Sequence, residues 1–157
     1  TFHVPTFESF GLCTEFVEEY YSVSVKNVVR GMHFQLPPHD HVKLIYCTAG
    51  VVLDVVVDLR KGSPTYGQYE SFKLSANIAN MVYIPKGMAH GFCVLSDQST
   101  MHYKVSTIYS PQHDSGIRWD SVGVDWLVSN PIISQRDQGF LLLEDFYSPF
   151  VFDAKHE

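Results

Sequence analysis

Val28-Val29-Arg30-Gly31-Met32-His33-Phe34-Gln35 is the stretch from which the rest of the chain can be read. β-branched residues lead in, and Arg30, Met32 and Phe34 then alternate with Gly31, His33 and Gln35, the period of a strand. On that alternation His33 shares a face with Gly31 and Gln35. A glycine two places before a histidine leaves open space beside the imidazole, where a ligand can approach closely. This is therefore a candidate catalytic strand, with His33 and Gln35 as candidate site residues. The plainer reading is a histidine at the polar rim of a barrel, the commoner fate of a lone histidine.

The neighbouring segments continue the β pattern. A polar loop at 36–41 (LPPHDH) is followed by a strand at 43–48 (KLIYCT), a turn at Ala49-Gly50 and a strongly β-branched strand at 51–59 (VVLDVVVDL). The turn cluster 60–67 leads to further strands at 68–74, 81–84, 90–95 and 101–108, the last two separated by a polar turn at 96–99. Before the opening stretch, 1–15 reads as an edge strand plus a loop, and 16–21 (FVEEYY) fits a strand or one helical turn equally well. The tail carries one short helical candidate, 137–144. Many short strands with no helical spacers indicate an all-β sandwich or barrel, with a parallel α/β sheet disfavoured.

Composition agrees. At 157 residues the chain is read as one domain, 1–157, large enough to bury a core unaided. Its 11 Phe and 9 Tyr suit cross-strand pairing. A net charge of -6 argues against a general nucleic-acid binder. Cys13, Cys47 and Cys93 are odd in number and widely spaced, so a disulfide framework is not expected and a reducing cytoplasm is. No apolar run approaches the roughly 20 residues of a membrane span, and no secretory signal is visible in a chain that begins at Thr1.

Two further stretches carry chemistry. Pro85-Lys86-Gly87-Met88-Ala89-His90 makes a tight turn and delivers a histidine onto the next strand, and P-x-G-x-x-H resembles the second motif of cupins, small jelly-roll barrels. Many cupins bind a metal with such a histidine, an earlier H-x-H and a glutamate. His39, His41 and His90 could supply imidazoles for one, but 42–48 contains no acid, and His39 and His41 sit in a Pro-Pro loop. No metal is expected. Met101-His102-Tyr103-Lys104 alternates so that Tyr103 faces away from His102 and Lys104; a phenol there is a general acid if it opens on a pocket, and ordinary core packing otherwise.

Taken in order, VVRGMHFQ, KLIYCTAGVVLDVVVDLRKGSPTYG, YIPKGMAHGFCVLSD, YKVSTIYSPQHDSGIRWD, GVDW and PIISQRD resemble the dTDP-4-dehydrorhamnose 3,5-epimerase family over about 28–143. These are cupin-fold enzymes that invert stereocentres beside a sugar ketone. The resemblance implies an all-β, cupin-type jelly roll with a short C-terminal helical segment. It also implies proton transfer without metal or cofactor, and a homodimer. By resemblance His33 is the base, Asp137 its partner, Lys43 the cation near the substrate oxygen and Tyr103 the acid on the opposite face. Arg30 and His90 match pocket positions, with Arg30 suited to the diphosphate; Phe92 and Tyr109 match the sugar-pocket wall.

The amino-terminal segment, 1–27, departs from the family. Where D-x-R-G-x-F-x-E is usual, residues 8–15 read ESFGLCTE, which keeps the glycine and Glu15 but puts Phe10 in place of the arginine. Glu18-Glu19-Tyr20 stands where a Gln/Asp-Asn type sequence is typical. This segment is a variant of the part that implies dimer and nucleotide contacts, with Glu15 its candidate substrate residue. The expected activity is epimerisation of a nucleotide-linked 4-keto-6-deoxyhexose at carbon 3, carbon 5 or both, in deoxysugar or lipopolysaccharide synthesis. The alternatives are a metal-dependent cupin enzyme and a non-catalytic sugar-nucleotide binding module.

Overall fold

The computed structural model describes residues 2–154, in which nine strands form two antiparallel sheets. One sheet has the order β1 (Glu18–Val25), β8 (Gln98–Val105), β3 (Lys43–Ala49), β6 (Met81–Ile84). The other has the order β5 (Tyr69–Ser75), β4 (Val51–Asp58), β7 (Met88–Val94), β2 (Val29–Gln35), β9 (Asp114–Gly116). The expected all-β jelly-roll sandwich is what the chain forms.

The composition of β4 explains the layering. Its run VVLDVVVD is apolar on both faces because its sheet is covered on both sides. Val52 points into the core between the sheets, with Ile45, Phe92 and Met101. Val55 and Val57 point the other way, under the C-terminal segment, with Ile117, Trp126 and Phe150. All three valines are fully buried, each worth roughly 1.5–3 kcal/mol of hydrophobic stabilisation. The inter-sheet core fills one end of the sandwich, and the other end stays open.

Four expectations change. The segment 1–15 forms a short helix, α1 (Val4–Ser9), with a proline in its first turn, rather than an edge strand. Phe7 is buried there, with its ring against Phe2 and Tyr83, so an aromatic cluster overrides the local pattern. Helix α2 is Gln135–Gln138, capped by the Ser134 hydroxyl and stopped at Gly139; a separate single 3-10 turn follows at Leu143–Asp145. Strand β8 begins at Gln98, because the turn before it is tighter than the polar residues suggest.

The fourth change concerns the opening stretch. Arg30 pairs with Phe92 and His33 with His90, so three steps on β2 match two on β7. The extra residue is a β-bulge, and it flips the alternation between Arg30 and His33. Arg30, His33 and Gln35 therefore share the inner face, while Met32 and Phe34 join the outer core. Gly31 lies inside the bulge at φ +133°, and a Cβ there would stand 2.5 Å from the Gly91 Cα. The space that glycine leaves is taken by the neighbouring strand, not by a ligand.

Candidate active site

The open end of the sandwich is a cavity of about 330 Å³, within the size range of small-molecule sites. Both sheets contribute to it. His33, Arg30, His90 and Phe92 come from the five-stranded sheet, and Lys43 and Tyr103 from the four-stranded one.

His33 Nε2 donates to Asp137 Oδ1 at 2.9 Å. The Asp137 side chain is nearly covered, and its other oxygen accepts from the Gly31 N–H at 3.1 Å. Helix α2 presents this carboxylate: the Ser134 hydroxyl caps the Asp137 N–H at 3.0 Å. Burial pushes the Asp137 carboxyl up, but the His33 hydrogen bond and charge, with Gly31 and Ser134, hold it below the usual carboxylate value. An ionised carboxylate can only accept, so the His33 proton sits on Nε2 and Nδ1 carries the free lone pair. Burial also holds the His33 imidazole below its ordinary pKa, outweighing the pull of Asp137, with Lys43 and Arg136 adding to the depression. A neutral imidazole with an oriented lone pair can take a proton from carbon.

Lys43 is buried, and its ammonium donates to the His33 carbonyl at 3.1 Å. Burial lowers its pKa to about 8, against the pull of Asp114 and Asp54. It remains a cation at neutral pH, able to oppose charge that develops on a nearby oxygen. Tyr103 is almost fully buried, and burial keeps its phenol protonated well above the ordinary range. Its hydroxyl shares a hydrogen bond with Ser22 at 3.2 Å. A neutral base on one wall, with a protonated phenol and a cation on the other, can move a proton off one face of a carbon and onto the opposite face.

The remaining candidates are distributed as follows. His90 is buried and bonded to Asp54 Oδ2 at 2.8 Å, a second histidine–carboxylate pair in the same cavity. Burial pushes the Asp54 carboxyl up, with His90 offsetting part of the effect. Arg30 lines the cavity with its Nε on the Ser24 hydroxyl at 2.9 Å. Gln35 also lines it, but its amide is engaged by the loops, accepting from Ser110 N and donating to the His39 carbonyl. Tyr109 is an exposed wall residue bonded through its hydroxyl to Asp114. Glu15 is exposed, precedes β1 and does not line the cavity of its own chain. Glu18 does line it, and accepts from the Tyr109 N–H at 2.7 Å.

The three histidines of the metal alternative have separate engagements. His39 packs on His113, His41 Nδ1 meets the Gln35 amide, and His90 holds Asp54. Among the described residues no group of three or more His, Cys, Asp or Glu side chains is placed to hold a metal ion.

Sequence reasoning missed the cavity residues Glu18, Tyr20, Ser22, Asp114 and Arg136, and Asp54 buried behind His90. Four of these had a signal. An aspartate inside VVLDVVVD is an acid in a fully buried strand, and EEYYSVSV alternates once its period is taken as two.

Comparison with known proteins identifies the family. The family model described as dTDP-4-dehydrorhamnose 3,5-epimerase matches residues 1–145. The dTDP-4-dehydrorhamnose 3,5-epimerase of Shigella flexneri is 45% identical over 83% of this chain and 73% of its own. The dTDP-4-dehydrorhamnose 3-epimerase of Streptomyces niveus is 41% identical over 92% of this chain and 71% of its own. Among solved structures, the dTDP-6-deoxy-D-glucose-3,5-epimerase of Legionella pneumophila, in complex with dTDP-4-keto-L-rhamnose, superposes with a TM-score of 0.92 at 34% identity. That match covers 98% of this chain and 85% of the other. The chain belongs to the dTDP-4-dehydrorhamnose 3,5-epimerase family.

Proposed function

We propose that the protein epimerises a nucleotide-linked 4-keto-6-deoxyhexose by removing and returning a proton beside the ketone. The observation that carries this reading is the His33–Asp137 pair facing Lys43 and Tyr103 from the opposite sheet. His33 Nδ1 takes the proton from the carbon next to the carbonyl, and the C–H electrons delocalise onto the carbonyl oxygen as an enolate. Lys43 opposes that charge, and Asp137 stabilises the imidazolium. Tyr103 then gives its hydroxyl proton to the carbon from the other face; the phenolate recovers a proton from solvent, and the His33 imidazolium gives its proton up to solvent.

Arg30, at the cavity wall, is the residue we assign to the diphosphate, since its guanidinium fork fits phosphate oxygens. Relatives named as binding or acting on dTDP-sugars support thymidine diphosphate as the carrier. A binding module alone would need neither an oriented base nor a protonated phenol.

We further place the enzyme in the cytoplasm as a homodimer. Cys13, Cys47 and Cys93 are free thiols, and no helix of the described residues is long and apolar enough to cross a membrane. Strand β1 is a sheet edge with Tyr21, Val23 and Val25 exposed, an edge that a second copy can cover, with 1–27 as its contact segment.

Proton NMR in deuterium oxide with dTDP-4-keto-6-deoxyglucose tests the reaction. Solvent deuterium should appear beside the ketone with the wild type and be lost in His33→Ala and Asp137→Ala. Exchange retained in both variants would refute the mechanism.

A further inference from the structure

Tyr20 on β1 lies directly across from Tyr103 on β8. The two rings are nearly parallel, with centroids 4.6 Å apart and planes 12° from coincidence. Ser22, two residues along the same face of β1, holds the Tyr103 hydroxyl. His90 abuts the Tyr103 ring edge-on from the opposite sheet, at 6.1 Å. The phenol read above as the acid is thus fixed on its face, at its hydroxyl and along its edge. Tyr20 itself is part of the cavity wall.

We propose that Tyr20 is a positioning residue that pins the Tyr103 phenol and restricts proton return to one of the two carbons beside the ketone. This rests on the epimerase reading and refines it to inversion at a single carbon. The two carbons lie on opposite sides of the carbonyl, so an acid in line with one is out of line with the other. A misplacement of about 1 Å can cost on the order of 10²-fold in rate. A phenol free to swing can serve both carbons in turn; one stacked on Tyr20 and bonded to Ser22 keeps a single aim. An amide in place of Tyr20 would leave the ring face of Tyr103 open. Burial, with the charges of Glu18 and Asp114, pushes the Tyr20 hydroxyl up to about 12, so Tyr20 stays protonated and acts as a neutral wall. The chemistry is unchanged: each inversion breaks one C–H bond, passes the proton to His33 and forms one C–H bond with the Tyr103 proton.

The test is the ratio of deuterium incorporated at the two carbons of dTDP-4-keto-6-deoxyglucose in deuterium oxide, compared among wild type, Tyr20→Phe, Tyr20→Asn and Tyr20→Ala. A ratio within one sample is indifferent to the fraction of protein folded. The wild type should favour one carbon by at least about tenfold, the factor that 1.36 kcal/mol of barrier supplies. Tyr20→Phe keeps the stacked ring and should keep the ratio. Tyr20→Asn and Tyr20→Ala should bring the two carbons within about threefold of each other, as the freed phenol reaches both. Comparable labelling of both carbons by the wild type overturns this inference and leaves the epimerase standing. A skewed ratio unchanged in Tyr20→Asn and Tyr20→Ala removes the role of Tyr20. No label at either carbon overturns the epimerase reading itself.

Discussion

Arg30 and His33, three positions apart on one strand, face the same cavity because β2 carries one residue more than β7 between them. Strict alternation would have put them on opposite faces. The bulge depends on Gly31, whose positive φ and contact with the Gly91 backbone leave no room for a side chain. Gly31→Ala should therefore destabilise the fold by roughly 2–4 kcal/mol. For a chain of this size that is a fall in Tm of roughly 5–15 °C. Calorimetry that finds Tm within about 2 °C of wild type would mean that the two strands do not meet this closely.

Removal of His33 and removal of Asp137 should not be independent. Asp137 acts on the reaction through the imidazole it orients, so once His33 is gone its carboxylate has nothing left to do catalytically. Each single alanine variant should lose on the order of 10²- to 10⁴-fold in kcat. The double variant should be no slower than the worse of the two, a large departure from additivity. If the two losses multiply, the residues act separately and the pair is a crystallised habit of folding, not a catalytic unit.

What the sequence made legible follows from what is local. Strands such as KLIYCT and VVLDVVVDL announce themselves because β-branched residues and turn residues act over a few positions. The site was legible through whole motifs: His33, Lys43, His90, Phe92, Tyr103 and Tyr109 all reach the cavity wall, and Asp137 reaches His33. The face of Arg30 was not, because a bulge depends on the partner strand's register, which no window of β2 contains. Glu18 and Tyr20 were missed because residues 16–21 fit a strand or a helical turn equally well until the pairing of β1 with β8 fixes the face of each. The Asp54–His90 pair joins residues 36 apart, and only the pairing of β4 with β7 brings them together.

Asp58 anchors the loop that follows β4. Its carboxylate accepts from the Arg60 backbone N–H and guanidinium, from the Ser63 hydroxyl and from the Thr65 hydroxyl. Burial pushes this carboxyl up, but those donors together bring its pKa down to about 2. A carboxyl lowered in the folded state adds stability above its unfolded pKa, about 3.9, and that stability is lost as pH falls towards 2. Asp58→Asn should cost roughly 2–3 kcal/mol at pH 7. Its stability should also change less than the wild type's between pH 4 and pH 2 in urea melts. Parallel curves over that range would show that Asp58 does not carry the acid sensitivity.

The pH profile of turnover should have one limb from each wall of the cavity. On the acid side the base must be neutral. His33 titrates below its ordinary value of about 6.5, so activity should persist through pH 6.5 and decline only below it. On the alkaline side the enolate needs a cation, and Lys43 begins to lose its proton at about 8. Tyr103, raised by burial, stays protonated well beyond that and sets neither limb. The kcat/KM of the free enzyme should therefore be bell-shaped, with its upper limb near 8. Lys43→Arg, whose guanidinium keeps its charge, should flatten that upper limb while leaving the lower one in place. An upper limb that starts above pH 10 in the wild type would assign it to a phenol and remove Lys43 from the role of enolate partner.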